Sequence, residues 1–225
     1  MLLAPLLGLL APPACLACGR PPGPRDVLCR DCRVALPWLG PGVCARCGLP
    51  GRCGRTCPAR RLAYDRAWAP VAYAGPARRL VGALKERGAV AAAGLMAAQM
   101  AATAPPGLLA GAVLSAVPAD PLRRRRRGLD HAGRIAAELA SRCDLEAAAL
   151  LRRRPSRAGR QAGASRRQRL AEGRLPVEVR ARAVPEAVLL VDDVHTTGAT
   201  LHACAVALKA AGVRRVGAVT YARTL

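Results

Sequence analysis

The sequence predicts an α/β protein, a parallel sheet flanked by helices, with a small cysteine-rich module at its N-terminal end. Three observations support this. Val188 to Val191 is an apolar, β-branched run of the length expected for a strand buried on both faces. After a short loop, Leu201 to Ala211 has helical spacing, with Gly212 as a C-terminal stop. The same order recurs upstream, where Gly111 to Val117 reads as a buried strand and a helix begins near Asp130 and runs through Ile135, Leu139 and Leu145. Repeated buried strand and helix is the pattern of a parallel sheet, whose crossovers cover both faces. Finally, eight of the ten cysteines fall between Cys15 and Cys57. The expected organisation is an N-terminal helix and metal-binding module over residues 1–62 and an α/β domain over 63–225.

The remaining elements follow from local pattern. Leu2 to Leu10 reads as a short helix buried against the body. It lacks a basic flank and is too short to span a bilayer. Ala67 to Tyr73 predicts a strand, and the chain from there to Thr103 is helical in pattern. Leu150 and Leu151 end a short strand or helix. Residues 152–174 hold a single large apolar side chain, Leu170, and many arginines, which predicts a flexible arginine-rich lid or loop. Cys143 and Cys204 lie among Ala and Leu at helical positions and are expected in the core.

Composition narrows the function classes. An apolar content of 52% excludes wholesale disorder. With no Phe and 2% aromatics, the core must be built from Ala, Val and Leu. All but two of the 36 basic residues are arginine, the lysines being Lys85 and Lys209. A GC-rich coding sequence accounts for Arg in place of Lys, but not for the excess of base over acid. The net charge of +22 points to polyanionic partners, phosphates or nucleic acid. Aromatic platforms for reading single-stranded bases are sparse.

The cysteines are spaced Cys15-x2-Cys18, Cys29-x2-Cys32, Cys44-x2-Cys47 and Cys53-x3-Cys57. Two thiolates separated by two residues grip one tetrahedral Zn²⁺ from a tight knuckle, and two knuckles close a site. Four pairs predict two structural zinc ribbons. Sequential pairing is simplest, and the spacing fits a cross-braced pairing as well. Disulfides are the alternative, but they require an oxidising compartment. Gly19, Gly48 and Gly54 follow their cysteines where knuckle turns need positive φ. Filled by four cysteines each, such sites serve to fold a segment with too little core of its own.

The most specific chemistry lies at 188–201, V-L-L-V-D-D-V-H-T-T-G-A-T-L. Asp192 and Asp193 close the strand. Ionised carboxylates accept hydrogen bonds, so they suit the hydroxyls of a sugar. Thr196, Thr197, Gly198, Ala199 and Thr200 form a loop of small and hydroxyl residues before a helix, a geometry that offers backbone N–H groups and a positive helix end to a phosphate. Diol acceptors beside a phosphate cradle fit a ribose 5-phosphate. No G-K-[ST] follows, so this is not a P-loop. Lys85 is either a phosphate contact or a solvated helix-end lysine. The run Arg123 to Arg127 with Gly128 falls in a strand-to-helix loop at the ligand-binding edge of such a sheet, where one or two arginines could meet a pyrophosphate while the rest stay solvated.

The Asp-Asp…Thr-Thr-Gly-x-Thr segment resembles the PRPP-binding signature of type I phosphoribosyltransferases. Taken with the cysteine module, Tyr73-x-Gly75, Leu84-Lys85-x2-Gly88, Val117-Pro118 and Arg127-Gly128, it makes the chain similar to the ComF family over nearly its whole length. That resemblance implies a bacterial, cytoplasmic protein in which a double zinc ribbon precedes a type I phosphoribosyltransferase-like domain. Its ligand would be PRPP with Mg²⁺, and its setting DNA uptake in natural transformation, with single-stranded DNA and DNA-uptake proteins as partners. It assigns the ribose hydroxyls to Asp192 and Asp193 and the 5-phosphate to Thr196, Thr197, Gly198 and Thr200. Arg127 and Gly128 match the pyrophosphate loop, and Arg153, Gln161 and Arg169 the lid. The sequence departs from the family at Leu129, Asp130 and His131, where an aromatic, Asn and Gln are expected, and at Glu172. Acids in a diphosphate site weaken anion binding.

Overall fold

The computed structural model describes residues 14–24, 26–120, 128–153 and 176–225. The expected helix at Leu2 to Leu10 and most of the expected lid lie outside the described residues. Helix α1 (Arg30–Val34) lies in the cysteine module, followed by a 3-10 turn, Gly54–Thr56. Next come β1 (Arg66–Trp68), β2 (Val71–Ala72), α2 (Gly75–Arg87), α3 (Val90–Thr103), β3 (Val113–Ala116) and α4 (His131–Cys143). The chain continues with β4 (Leu151–Arg153), β5 (Val177–Val179), β6 (Ala187–His195), α5 (Ala199–Ala210) and β7 (Arg215–Arg223).

The protein is α/β, with a mostly parallel sheet flanked by helices. Strand order is β1-β7-β6-β3, and β2 also pairs with β7. All of these pairings are parallel. Strands β4 and β5 form a separate antiparallel pair. The expected strand over 67–73 divides in two around Pro70, which lacks the N–H a ladder needs. The helical stretch beyond it also divides, because Gly88 turns left-handed (φ 63°) at the end of α2. Leu151 begins β4 rather than ending an element.

Strand β6 runs past its carboxylates. Its partner β7 continues as far, with Asp192 opposite Thr220 and His195 opposite Arg223. The acids therefore lie inside the strand, not at its end. Leu189 and Val191 face a layer containing Met96, Met100, Ile135 and Leu139. Val188 and Leu190 face the opposite layer, with Leu201, Cys204 and Leu208. Methionines, Ile135 and the tyrosines Tyr64 and Tyr221 thus supplement the expected Ala, Val and Leu. The Tyr221 hydroxyl donates to Gln99 Oε1 at 2.8 Å, which satisfies its buried polar end. Cys204 is fully buried, as expected, while Cys143 is only half-buried at the end of α4.

The cysteine module is stitched to this sheet. Its first half joins the α3/α4 layer through Cys15, Leu28, Cys29 and Cys32, and its second half joins the α5 layer through Cys47 and Cys57. The connector between the halves lies along β2, with Trp38 opposite Val71 in antiparallel fashion. There the Leu39 N–H donates to Pro70 O and the Ala72 N–H to Pro37 O. The Ala67 N–H of β1 donates to Ala45 O, within the second half, at 3.0 Å.

Candidate metal centres and carboxyl-edge site

Two clusters of thiols form in the module: Cys15, Cys18, Cys29 and Cys32, and separately Cys44, Cys47, Cys53 and Cys57. Within each set the Sγ atoms all lie within 4.8 Å of one another. The pairing is therefore sequential. Cys18 and Cys29 are 3.6 Å apart, Cys47 and Cys53 3.5 Å, and Cys44 and Cys57 4.0 Å. A disulfide would bring two sulfurs to about 2.05 Å. A tetrahedral ion with Zn–S near 2.3 Å instead sets its sulfurs roughly 3.8 Å apart, which these separations bracket. Both sites fit structural Zn²⁺.

The knuckles repeat one local design. The Gly19 N–H donates to Cys15 O at 2.9 Å, and the Gly48 N–H to Cys44 O at 2.8 Å. Both glycines, like Gly54, have the positive φ that the turn requires.

At the carboxyl edge, strand alternation sends Asp192 and Asp193 to opposite faces of β6. Asp193 is buried, and its Oδ1 lies 2.7 Å from Lys85 Nζ. Lys85 is therefore at the site, with its charge directed to a carboxylate. The Asp193 N–H donates to Asp192 Oδ1 at 2.9 Å. Burial, followed by the charge of Asp193, pushes the Asp192 carboxyl well above the ordinary carboxylate range. The Asp193 N–H and Lys85 offset part of this rise, and the charge of Asp130 adds to it.

Asp130, one of the departures from the family pattern, caps α4, and its side chain accepts from the Gly133 N–H at 3.0 Å. The unexpected acid thus has a structural use. Gly128 precedes it with φ 65°. Arg153 on β4 reaches Asp120, beyond the end of β3, at 3.5 Å. Arg127, Gln161 and Arg169 lie outside the described residues, as do 121–127 and 154–175.

The loop after β6 is shorter than the sequence predicts, because Ala199 and Thr200 already belong to the first turn of α5. Thr196 and Thr197 are exposed. Gly198 caps α5 in the left-handed region (φ 78°), and the Ala199 N–H donates to Thr197 Oγ1 at 3.4 Å. A Cβ there would stand 2.6 Å from Tyr64 Oη and 2.9 Å from His195 Nε2. Backbone conformation and space both demand glycine at this position.

Three residues that the sequence does not single out form the floor of this loop. His195 is buried with Nε2 3.2 Å from Tyr64 Oη. Burial and then the charge of Arg223 push its imidazole down to about 3, so it is neutral at physiological pH. Arg223, at the end of β7, is 6% exposed. Its guanidinium donates to His195 O (2.9 Å), Thr196 O (2.6 Å), Thr224 O (2.6 Å) and Cys47 O (2.9 Å). The only sequence signal for Arg223 is its place after the apolar run Val216–Tyr221. Nothing local marks Tyr64.

Residues 6–61 match the family model of the double zinc ribbon domain. The N-terminal module is therefore a double zinc ribbon, which agrees with its two four-cysteine sites. No curated protein matches the chain. Among the described residues no helix is long and apolar enough to cross a membrane.

Purified protein should carry two zinc ions per chain by elemental analysis, and Cys57→Ser should retain one. Chelation of both should unfold the module, read as loss of thermal cooperativity. For pH, Asp192 binds its proton more tightly folded than unfolded. The folded state thus holds more protons above roughly pH 4, the ordinary carboxyl value, and stability falls as pH rises through that window. Asp192→Asn should flatten that decline in urea titrations of ligand-free protein. His195 acts on the other side, because its depressed value means that stability is lost as pH falls below the ordinary imidazole value.

Proposed function

We propose that the carboxyl edge of the sheet binds the ribose 5-phosphate part of PRPP, and that the chain is a phosphoribosyltransferase-like protein of the ComF type. One observation carries this reading: β6 carries two adjacent carboxylates two residues before a hydroxyl-bearing loop that opens onto the N-terminus of a 12-residue helix. The exposed hydroxyls of Thr196 and Thr197, the amides of the loop and the positive end of α5 suit a phosphate dianion. Asp192 and Asp193 suit the neighbouring ribose hydroxyls, and Lys85 pairs with Asp193 at 2.7 Å. Hydroxyl donors from the sugar would also relieve the cost of ionising Asp192.

In transfer, the C1–O bond to diphosphate breaks while an acceptor nucleophile bonds to C1, and positive charge develops on the sugar. The carboxylates would stabilise that charge through space. Mg²⁺ suits the hard oxygen donors of Asp192 and Asp130 and would neutralise negative charge on the departing diphosphate. The chain's own residues orient the sugar and phosphate. None of those described is placed as a base for an acceptor. A cytoplasmic location belongs to the same proposal, since reducing conditions keep eight ligand thiols available for metal.

A second reading is favoured by a separate feature. An open groove of roughly 890 Å³ lies between the first ribbon and α2, lined by Arg78, Arg79 and Arg87 with Tyr73. Arg78 stacks over the Tyr73 ring at 6.0 Å. Arginines beside an aromatic face suit a single-stranded nucleic acid, in keeping with a role in DNA uptake.

Calorimetry tests both readings. PRPP with Mg²⁺ should bind the intact protein, and Asp192→Asn or Asp193→Asn should each weaken it about tenfold to a hundredfold, the worth of a hydrogen bond to a charged group. Unchanged affinity in both variants would refute the assignment. An oligonucleotide should bind more weakly as salt rises, and Arg78→Ala with Arg79→Ala should reduce its affinity without affecting PRPP.

A further inference from the structure

The second zinc ribbon and the candidate phosphate loop meet at one side chain. Arg223 is almost wholly buried, and among the described residues no carboxylate pairs with it; its guanidinium is held by backbone carbonyls. Two of these carbonyls, His195 O and Thr196 O, belong to the entrance of the loop. A third, Cys47 O, belongs to a ligand of the second four-cysteine site.

The consequence for the loop follows from peptide geometry. In a planar trans peptide the C=O and the following N–H point in opposite directions. Drawing the His195 and Thr196 carbonyls toward the guanidinium therefore turns the N–H groups of Thr196 and Thr197 away from it. A buried cation behind those amides also adds to the positive end of α5. The second ribbon supports the same floor by another route. Arg46, between two metal ligands, donates to Ala59 O, Arg60 O and Leu62 O. Leu62 and Tyr64 then lie against Gly198.

We propose that Arg223 is a positioning residue for the loop, that the second metal site is its other anchor, and that zinc occupancy there and anion affinity at the loop strengthen each other. The inference rests on the phosphate-binding reading of the loop given above. It concerns the second site and not the first, whose cysteines pack in the opposite layer. Coupling between two binding equilibria is reciprocal, so each ligand must raise the affinity of the other by the same factor.

The test uses the full chain with both metals bound and ribose 5-phosphate as probe. Zinc is titrated out against a chelator of known affinity, with and without saturating ribose 5-phosphate. One of the two zinc ions should be held at least several-fold more tightly in its presence, and the other should be unaffected. Arg223→Met should keep two zinc ions but lose this dependence, with ribose 5-phosphate affinity down tenfold or more. Arg223→Lys keeps the charge without the fork that spans four carbonyls, and should fail to restore the coupling. The wild-type titration requires no variant, so a folding defect in either substitution leaves the test intact. Ribose 5-phosphate that binds while both zinc affinities stay fixed would overturn the coupling and leave the loop assignment standing. Failure of ribose 5-phosphate to bind the wild type at all would overturn both.

Discussion

Strand β6 must be buried on both faces, and this constraint orders the rest of the molecule. Its side chains alternate between two layers, Leu189 and Val191 into one and Val188 and Leu190 into the other. Each layer needs a cover. A chain with so few aromatic residues gains little buried area per side chain, since Ala and Val bury far less than Phe or Trp. The two halves of the zinc ribbon meet part of that need, one on each side. Metal ligation replaces hydrophobic area as the source of order in the first third of the chain.

The same alternation determines the chemistry at the end of the strand. Because β7 keeps pairing with β6 as far as His195, the carboxylates are held by the ladder and emerge in fixed, opposed directions. One meets Lys85, and the other, half-buried, is left beside a neighbouring like charge. A carboxyl so placed favours ligands bringing hydrogen-bond donors or cations. The loop beyond is shaped by residues remote in sequence: Tyr64 from the start of the α/β domain, Arg223 from its end, and Cys47 from the ribbon.

The parts legible in the sequence are those set by local pattern. Cysteine spacing predicted two four-cysteine sites, and the glycines after the knuckles were expected to be left-handed. The apolar run at 188–191 marked the central buried strand, and Asp130 marked the start of α4. Other features depend on distant partners. β7, the strand between β1 and β6, was not anticipated, although Val216, Val219 and Thr220 give it β-branched character. The carboxylates looked terminal because four apolar residues suggest a short strand, and only pairing with β7 extends it. Arg223 could not be read as a loop support, because its acceptors are carbonyls, which carry no side-chain signature. Asp130 looked like an intruder in an anion site until its capping bond to Gly133 gave it a local role.

The most direct test of a phosphorylated pentose at this edge is amide chemical-shift mapping by NMR as ribose 5-phosphate is added. The account predicts that the largest shifts fall on the backbone N–H groups of residues 196–200, with smaller ones beside Asp192 and Asp193. Shifts confined to the arginine groove along α2, or none at saturating ligand, would contradict it.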